Sequence, residues 1–402
     1  MGQKYVAIKR AMIGLNDEPV RDRLDIELTE RCNNNCVHCC INLPVNDAAA
    51  LAKELDTEEI IGLLSEAASL NYLKVRFTGG EPMLRPDFLE LYLAARRLGL
   101  KVQIFTNATL ITPKIADTLA HIVPGDLMEL TLYGLTSKTY ESVTRAPGSF
   151  DAAWQGIQLL LERSIPFVVK SVILPSNRHE IDSFISWTKS IPWMDGSQGF
   201  AYDFFARVRH DDERRNAIIR KLRVPWDEIN TLLNRNMDDY AEKSREFAAN
   251  FMSLPGDQLF SCTPSGCVDA RGFFNPCLLM KCPTLNYDLR KGSLREAVTV
   301  FLPGMKRLKA NNSKYLARCA RCFLKSLCEQ CPSQAWAETG ALDEPCEYYC
   351  GEAHRQARFL GLLDAQENAW EVVDWQARLE SFCGDKWGKN NGEPVSQISD
   401  NA

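Results

Sequence analysis

The sequence predicts an α/β protein, a partial (β/α)6 TIM-like barrel followed by a cysteine-rich C-terminal domain. Two observations lead there. From about residue 24 to 206, short β-branched runs alternate with helical patterns, the signature of repeated βα units on a parallel sheet. The 15 cysteines then fall into two groups: four within 32–40, none in the next 221 residues, ten within 262–350, and Cys383 alone near the end.

Six strands are expected, at LDIEL (24–28), LKVRFT (73–78), KVQIF (101–105), LMELTLY (127–133), FVVKSVIL (167–174) and FAYDFFARV (200–208). Each pair is separated by enough chain for a crossover helix. Asp56 and Glu59 form a capping box ahead of Ile60, Ile61, Leu64 and Ala67, and Pro86 opens a second helix that Gly99 closes. Six strands make an incomplete barrel, assigned to residues 1–210. Residues 211–255 are charge-laced and helical and read as a bridge. The cysteine-rich domain spans 256–351, with a short hairpin around Gly272. Residues 352–402 read as one amphipathic helix, over 352–382, and a frayed tail.

With 402 residues, 45% hydrophobic and 25% charged, the chain can bury a large core. Its formal net charge of −5 is far from the basic balance of a nucleic-acid binder. No apolar run is long enough for a membrane span, and the start, MGQKYVAIKRAMIGL, lacks the apolar region and cleavage site of a secretory signal. The expectation is a cytoplasmic protein without nucleic-acid or membrane partners. In a reducing compartment structural disulfides are not maintained, so metal is the default explanation for so many thiols.

The first group lies directly after the first strand, in Glu30-Arg31-Cys32-Asn33-Asn34-Asn35-Cys36-Val37-His38-Cys39. Three thiolates in a loop can ligate three irons of a four-iron cluster and leave the last iron open. The competing reading is a zinc knot of Cys32, Cys36, Cys39 and either His38 or Cys40. Location favours the cluster, because parallel-sheet and barrel enzymes assemble their sites where strands end. The next strand ends in Gly79-Gly80-Glu81-Pro82. There two glycines would let a ligand approach the backbone, and Glu81 would accept hydrogen bonds from an ammonium group.

These motifs together resemble the radical S-adenosylmethionine (SAM) superfamily over roughly residues 20–210. The resemblance implies a [4Fe-4S] cluster on Cys32, Cys36 and Cys39, with SAM chelated at the open iron and cleaved reductively to a 5′-deoxyadenosyl radical. It puts His38 beside the adenine, in a place usually held by an aromatic residue. It puts Gly79, Gly80, Glu81, Pro82, Thr106, Asn107, Thr131 and Arg145 in the stretches that bind SAM.

In the second group, Cys262-x9-Gly272-x4-Cys277 forms one arm, and Cys319-x2-Cys322-x5-Cys328-x2-Cys331 followed by Cys346 and Cys350 forms the other. Paired C-x2-C motifs suit zinc knuckles, while many thiolates without nearby histidines suit all-cysteine iron–sulfur clusters. The pattern resembles the SPASM extension of radical SAM proteins, with Cys331 one residue early. By that resemblance there are two auxiliary [4Fe-4S] clusters. Cys319, Cys322 and Cys328 hold one, closed by Cys346 or Cys350; Cys262, Cys277 and Cys331 hold the other, with Cys267 as fourth ligand. Cys40, Cys282 and Cys383 are expected to be free buried thiols.

The resemblance implies an oxidoreductase that modifies a peptide or protein side chain by oxidation, cross-linking or thioether formation, with the auxiliary clusters relaying an electron. Only 31 residues precede Cys32, so a substrate leader would be recognised by a separate leader-binding protein. A ferredoxin or flavodoxin would supply electrons. Asp203 is the candidate proton acceptor, against a plain ion pair with Arg207 or Arg209. The alternatives are a radical SAM oxidase or epimerase acting on a small metabolite (a sugar, haem or antibiotic precursor) and, from another class, a non-catalytic zinc scaffold.

Overall fold

The computed structural model describes residues 19–194, 201–203, 205–225, 228–229, 242, 255–260, 262, 265–325, 327–328 and 331–384. Most of the expected bridge and tail lie outside these residues. Six parallel strands follow in order: β1 (Arg21–Thr29), β2 (Tyr72–Gly79), β3 (Lys101–Thr106), β4 (Met128–Thr131), β5 (Phe167–Val172) and β6 (Ala201–Asp203). The cysteine-rich region extends the same sheet. A hairpin of β7 (Cys267–Val268) and β8 (Phe273–Asn275) lays β7 parallel to β1, and β9 (Tyr287–Asp288) pairs beyond β8. The order is therefore 9-8-7-1-2-3-4-5-6. Gly272, at φ +87°, makes the hairpin turn.

The strands have two unlike faces because side chains alternate along a strand. Leu24, Ile26, Leu28, Val75, Phe77, Val102, Ile104, Met128, Leu130, Phe167 and Val169 are all buried in one core with the flanking helices. The burial of each such side chain contributes about 1.5–3 kcal/mol. The alternate positions are polar and pair across the barrel interior: Arg23 with Asp25 at 2.7 Å, Arg76 with Asp25 at 3.4 Å, and Lys170 with Glu129 at 2.5 Å. The Arg76 guanidinium lies 4.2 Å from the centre of the Phe105 ring.

The crossover helices that frame the strand ends are α1 (Thr57–Ser69), α2 (Phe88–Arg97), α3 (Pro113–His121), α4 (Ser137–Thr144), α5 (Ser149–Glu162) and α6 (Ile181–Thr188). Asp56 and Glu59 form the reciprocal capping box of α1. Helix α2 begins at Phe88 rather than at Pro86, since Asp87 at its cap gives its carboxylate to Arg85. Farther on come α7 (Glu213–Lys221), α8 (Pro332–Thr339), α9 (Glu347–Phe359) and α10 (Trp375–Cys383). The single helix expected over 352–382 is therefore two. Gly361, in the left-handed region at φ +76°, ends the first. The two halves of the chain are also pinned inside the sheet, where Lys281 Nζ meets Glu27 Oε2 at 2.5 Å, both buried. Burial pushes the Glu27 carboxyl up, opposed by Lys281, whose own ammonium form Glu27 favours.

Candidate metal and cofactor site

The first cysteine loop leaves β1 at its C-terminal end and is tied back by the chain around it. Arg31–Cys32 and Leu43–Pro44 close it with a short parallel ladder. Gly80 N–H donates to Thr29 O at 2.7 Å and Glu81 N–H to Arg31 O at 3.0 Å. The two glycines are required here by this approach. A Cβ at Gly79 would sit 2.1 Å from Thr29 O, and one at Gly80 would sit 2.2 Å from Arg31 O. What comes close to them within the protein is the backbone at the end of β1 and the start of the cysteine loop.

Glu81 departs from expectation. It is fully buried, and its carboxylate accepts from Met83 N at 3.1 Å, Thr106 Oγ1 at 2.8 Å and Asn107 N at 2.8 Å. Burial pushes it up to about 7, opposed by these donors. The carboxylate thus clamps the end of β2 to the end of β3, with Thr106 consumed in the clamp and no oxygen turned to an external ammonium group. Asn107 bridges onward, its Nδ2 donating to Asn33 Oδ1 at 2.9 Å and lying 3.7 Å from Cys32 Sγ. Thr131 stands at the end of β4 in register with Lys170 of β5, and Pro82 opens a buried 3-10 turn.

Arginines grip the loop from outside. Arg145, at φ +52° after α4, donates to Asn35 O at 2.8 Å and Asn35 Oδ1 at 3.1 Å, so its guanidinium is spent on the loop. Arg215 donates to Cys36 O at 2.8 Å, and buried Arg209 to Asn42 O at 3.2 Å. From the sequence, Arg209 is named only as a possible partner of Asp203, and Arg215 is not singled out. They lie in a charge-rich stretch whose composition matches any solvated helix, and no spacing marks them.

Within the loop Cys32 and Cys36 are buried and Cys39 is partly exposed. Asn34 N–H points at Cys32 Sγ at 3.4 Å and Asn42 N–H at Cys39 Sγ at 3.3 Å. Burial pushes Cys32 up to about 12; burial and the neighbouring thiols hold Cys36 well above its ordinary range. Such thiols stay neutral until a cation compensates them. His38 is 7% exposed, stands edge-on to Tyr133 at 4.9 Å, and its Nδ1 has no hydrogen-bond partner; burial lowers it to about 4. Asn42 Oδ1 is likewise buried and unpartnered. Orphaned polar atoms beside three thiols fit a site built for a polar, metal-bearing group.

Among the described residues no three His, Cys, Asp or Glu side chains close on a single ion. A zinc knot needs sulfurs only roughly 3.8 Å apart, from Zn–S of about 2.3 Å. Asp203, at the end of β6, pairs with Arg207 and accepts from Phe205 N at 2.8 Å. Its carboxylate is engaged by Arg207, the ion pair weighed against the proton-acceptor role.

The second group lines a cavity of about 100 Å³, with Cys262, Cys319, Cys322, Cys328, Cys331 and Cys350 on its walls. Cys350 and Cys319 both act electrostatically on Cys322, and Cys277 and Cys331 on Cys262. Two of the expected ligands lie elsewhere. Cys346 caps α9 beside Glu338 and Arg223, while Cys350, a turn later, reaches the cavity. Cys267 is fully buried in β7, paired with Asn275 of β8 two residues before Cys277, and Glu27, Lys281, Asp25 and Asp269 act on it electrostatically. Pairing with β1 holds it in the barrel sheet, outside the cavity wall that Cys262 and Cys331 line.

A cysteine loop at the strand ends of a partial parallel barrel, with a cysteine-lined cavity beyond, defines a metal- and cofactor-binding α/β protein. Residues 26–188 match the model of the radical SAM superfamily. The chain carries a radical SAM domain, followed by a cysteine-rich region. It is 25% identical over 351 residues to the AdoMet-dependent heme synthase of Methanosarcina barkeri, covering 81% of this chain and 94% of that protein. It is 33% identical over 156 residues to the PqqA peptide cyclase of Ruegeria pomeroyi, covering 39% of this chain and 40% of that relative's length. In fold it is similar to native anSMEcpe with bound AdoMet, at a TM-score of 0.60 and 15% identity, covering 85% of this chain and 96% of the other.

Proposed function

We propose that this chain is a radical SAM enzyme that abstracts a hydrogen atom from a peptide or protein side chain, giving an oxidised, cross-linked or thioether product. The observation that carries the reading is the loop of three thiols at the mouth of a polar barrel, with unpartnered buried atoms beside them. Cys32, Cys36 and Cys39 would hold a four-iron cluster, and His38, Gly79, Gly80, Pro82 and Thr131 would border SAM. When bound, these groups supply a 5′-deoxyadenosyl radical.

The protein's own residues do the rest. The Gly79–Gly80 contact and the Glu81 clamp fix the loop against the strand ends, and Arg145, Arg209 and Arg215 hold its outer carbonyls. Neutral His38 offers a free Nδ1 without adding charge beside the cluster. Tyr133 and Tyr140, both buried, help keep water out. Cys319, Cys322, Cys328 and Cys350 would hold an auxiliary cluster that takes the electron left on the substrate, and Cys262, Cys277 and Cys331 would serve a second. The expected setting is cytoplasmic, with a ferredoxin or flavodoxin as donor and a separate protein to recognise any leader.

The peptide reading draws on the PqqA peptide cyclase relative; the heme synthase relative, matched along 94% of its length, favours a second reading, a haem precursor as substrate. The test is anaerobic reconstitution, with iron counted and 5′-deoxyadenosine measured against candidate peptides and haem precursors. About 12 irons, falling to about 8 in Cys32→Ala/Cys36→Ala/Cys39→Ala, with peptide-dependent 5′-deoxyadenosine, supports the proposal. Turnover with the tetrapyrrole alone transfers it to the second reading, and zinc without iron overturns both.

A further inference from the structure

We infer that Arg318 sets the reduction potential of the iron–sulfur group held by Cys319, Cys322, Cys328 and Cys350, an inference that rests on the auxiliary-cluster reading above. The guanidinium is fixed on three sides. Its Nη2 donates to Cys350 Sγ at 3.4 Å, its two Nη atoms fork onto Glu347 at 2.6 and 3.0 Å, and its carbon lies 4.6 Å from the centre of the Trp370 ring. The Glu347 side chain is 75% exposed and that of Arg318 only 25%. Water therefore screens the carboxylate more than the cation, and the cavity sees net positive charge.

The neighbouring groups make no such charged contact with a ligand sulfur. Lys325 also lines the cavity and its charge acts on Cys319 and Cys322, but its ammonium donates to Gly256 O at 2.9 Å. Leu324 N–H, pointing at Cys322 Sγ at 3.4 Å, carries no charge. His354 Nε2 accepts from Ala369 N at 3.1 Å, so its proton sits on Nδ1, which donates to Cys350 O at 2.8 Å and lies 3.7 Å from Cys350 Sγ. Arg318 is thus the cation in direct contact with a ligand sulfur among the described residues. A reduced cluster carries one more negative charge than an oxidised one, so a cation donating to its sulfur favours reduction. The residue makes this cluster a better acceptor for the electron released by the substrate.

The test is an EPR-monitored redox titration of full-length reconstituted protein in the Cys32→Ala/Cys36→Ala/Cys39→Ala background, the relevant signal being the one altered by Cys350→Ser. Arg318→Met should disfavour one-electron reduction at least tenfold, a shift of about 59 mV to lower potential. Arg318→Lys should recover part of that loss. Glu347→Gln, at an exposed position, should shift the potential upward and serves even if Arg318→Met fails to take up iron. Opposite shifts at full iron content are not produced by a merely structural role. An unchanged potential in Glu347→Gln, or shifts of the same sign in both variants, overturns the inference. Parent protein with no iron beyond the first cluster instead overturns the auxiliary-cluster reading.

Discussion

Gly80→Ala tests how the radical SAM loop is held. The new Cβ would lie 2.2 Å from Arg31 O, 2.6 Å from Arg31 C and 2.7 Å from Glu30 O, all backbone atoms with no flexible end to yield. Restoring an ordinary contact of about 3.5 Å needs more than about 1 Å of movement between the end of β2 and the loop. That movement breaks Gly80 N–H to Thr29 O and Glu81 N–H to Arg31 O, each contributing about 1 kcal/mol. Residual overpacking adds about 1–3 kcal/mol, giving a local cost of about 3–5 kcal/mol. Gly62→Ala is the control: Gly62 lies inside α1, where an added methyl would meet nothing within 4 Å, and the substitution should gain about 0.5–1 kcal/mol. The assay is anaerobic thermal denaturation of the apoprotein, with iron counted after reconstitution. Gly80→Ala should melt well below the parent and lose about four irons, the content of one cubane. Gly80→Ala melting with Gly62→Ala, at full iron content, would refute the reasoning.

Among the thiols, Cys350→Ser should lower iron per chain, while Cys346→Ser and Cys267→Ser should leave it at the parental value; iron loss on changing Cys267 would return that residue to the ligand set. Burial lowers His38 from 6.5 to about 4, so between those pH values the unfolded chain binds a proton that the folded chain refuses. The stability tied to His38 is complete above pH 6.5 and falls as pH drops to 4, by about 3 kcal/mol. Denaturation of the apoprotein at pH 7.5 and 5 should show this fall, and His38→Phe should flatten it. Lys281→Met alone strands the buried Glu27 carboxylate and should cost about 3–5 kcal/mol, whereas Glu27→Gln with Lys281→Met should recover most of it. Equal melting of the single and double variants would show that the pair does not couple the two halves of the chain.

The barrel was legible because its signals are local. Alternation wrote β1 to β5 at nearly the observed bounds, and Asp56 with Glu59 announced the start of α1. The three loop thiols were legible for the same reason, being close in sequence and next to a strand end. The GGEP motif was located, but what its residues touch within the protein was not legible. Two glycines announce a close approach without saying to what, and a buried carboxylate looks the same in sequence whether it awaits an ammonium group or already holds Met83, Thr106 and Asn107. Arg145 donates to a partner that the spacing does not name, the amide residue Asn35, whereas the pairing of Asp203 with Arg207 is one of the alternatives the sequence offers.

The second cysteine group shows where spacing stops being informative. Cys262, Cys267 and Cys277 lie close enough in sequence for one site, and only long-range pairing separates them. Residues Asp25 and Ile26 take Cys267 and Val268 into the barrel sheet, while Cys262 lines the cavity and Cys277 Sγ lies 3.5 Å from Ser333 Oγ. The choice between Cys346 and Cys350 is similar in kind. Four residues apart at the start of α9, they differ in that one caps the helix and the other lies a turn inside it, where Arg318 reaches its sulfur. The same strand pairing gives the arrangement its mechanical sense. β7 and β8 extend the sheet from the edge strand that launches the first cysteine loop, and Lys281, four residues after Cys277, inserts into that sheet against Glu27. Among the described residues, the strand that launches the first cysteine loop and the hairpin that leads to Cys277 therefore share one hydrogen-bonded sheet.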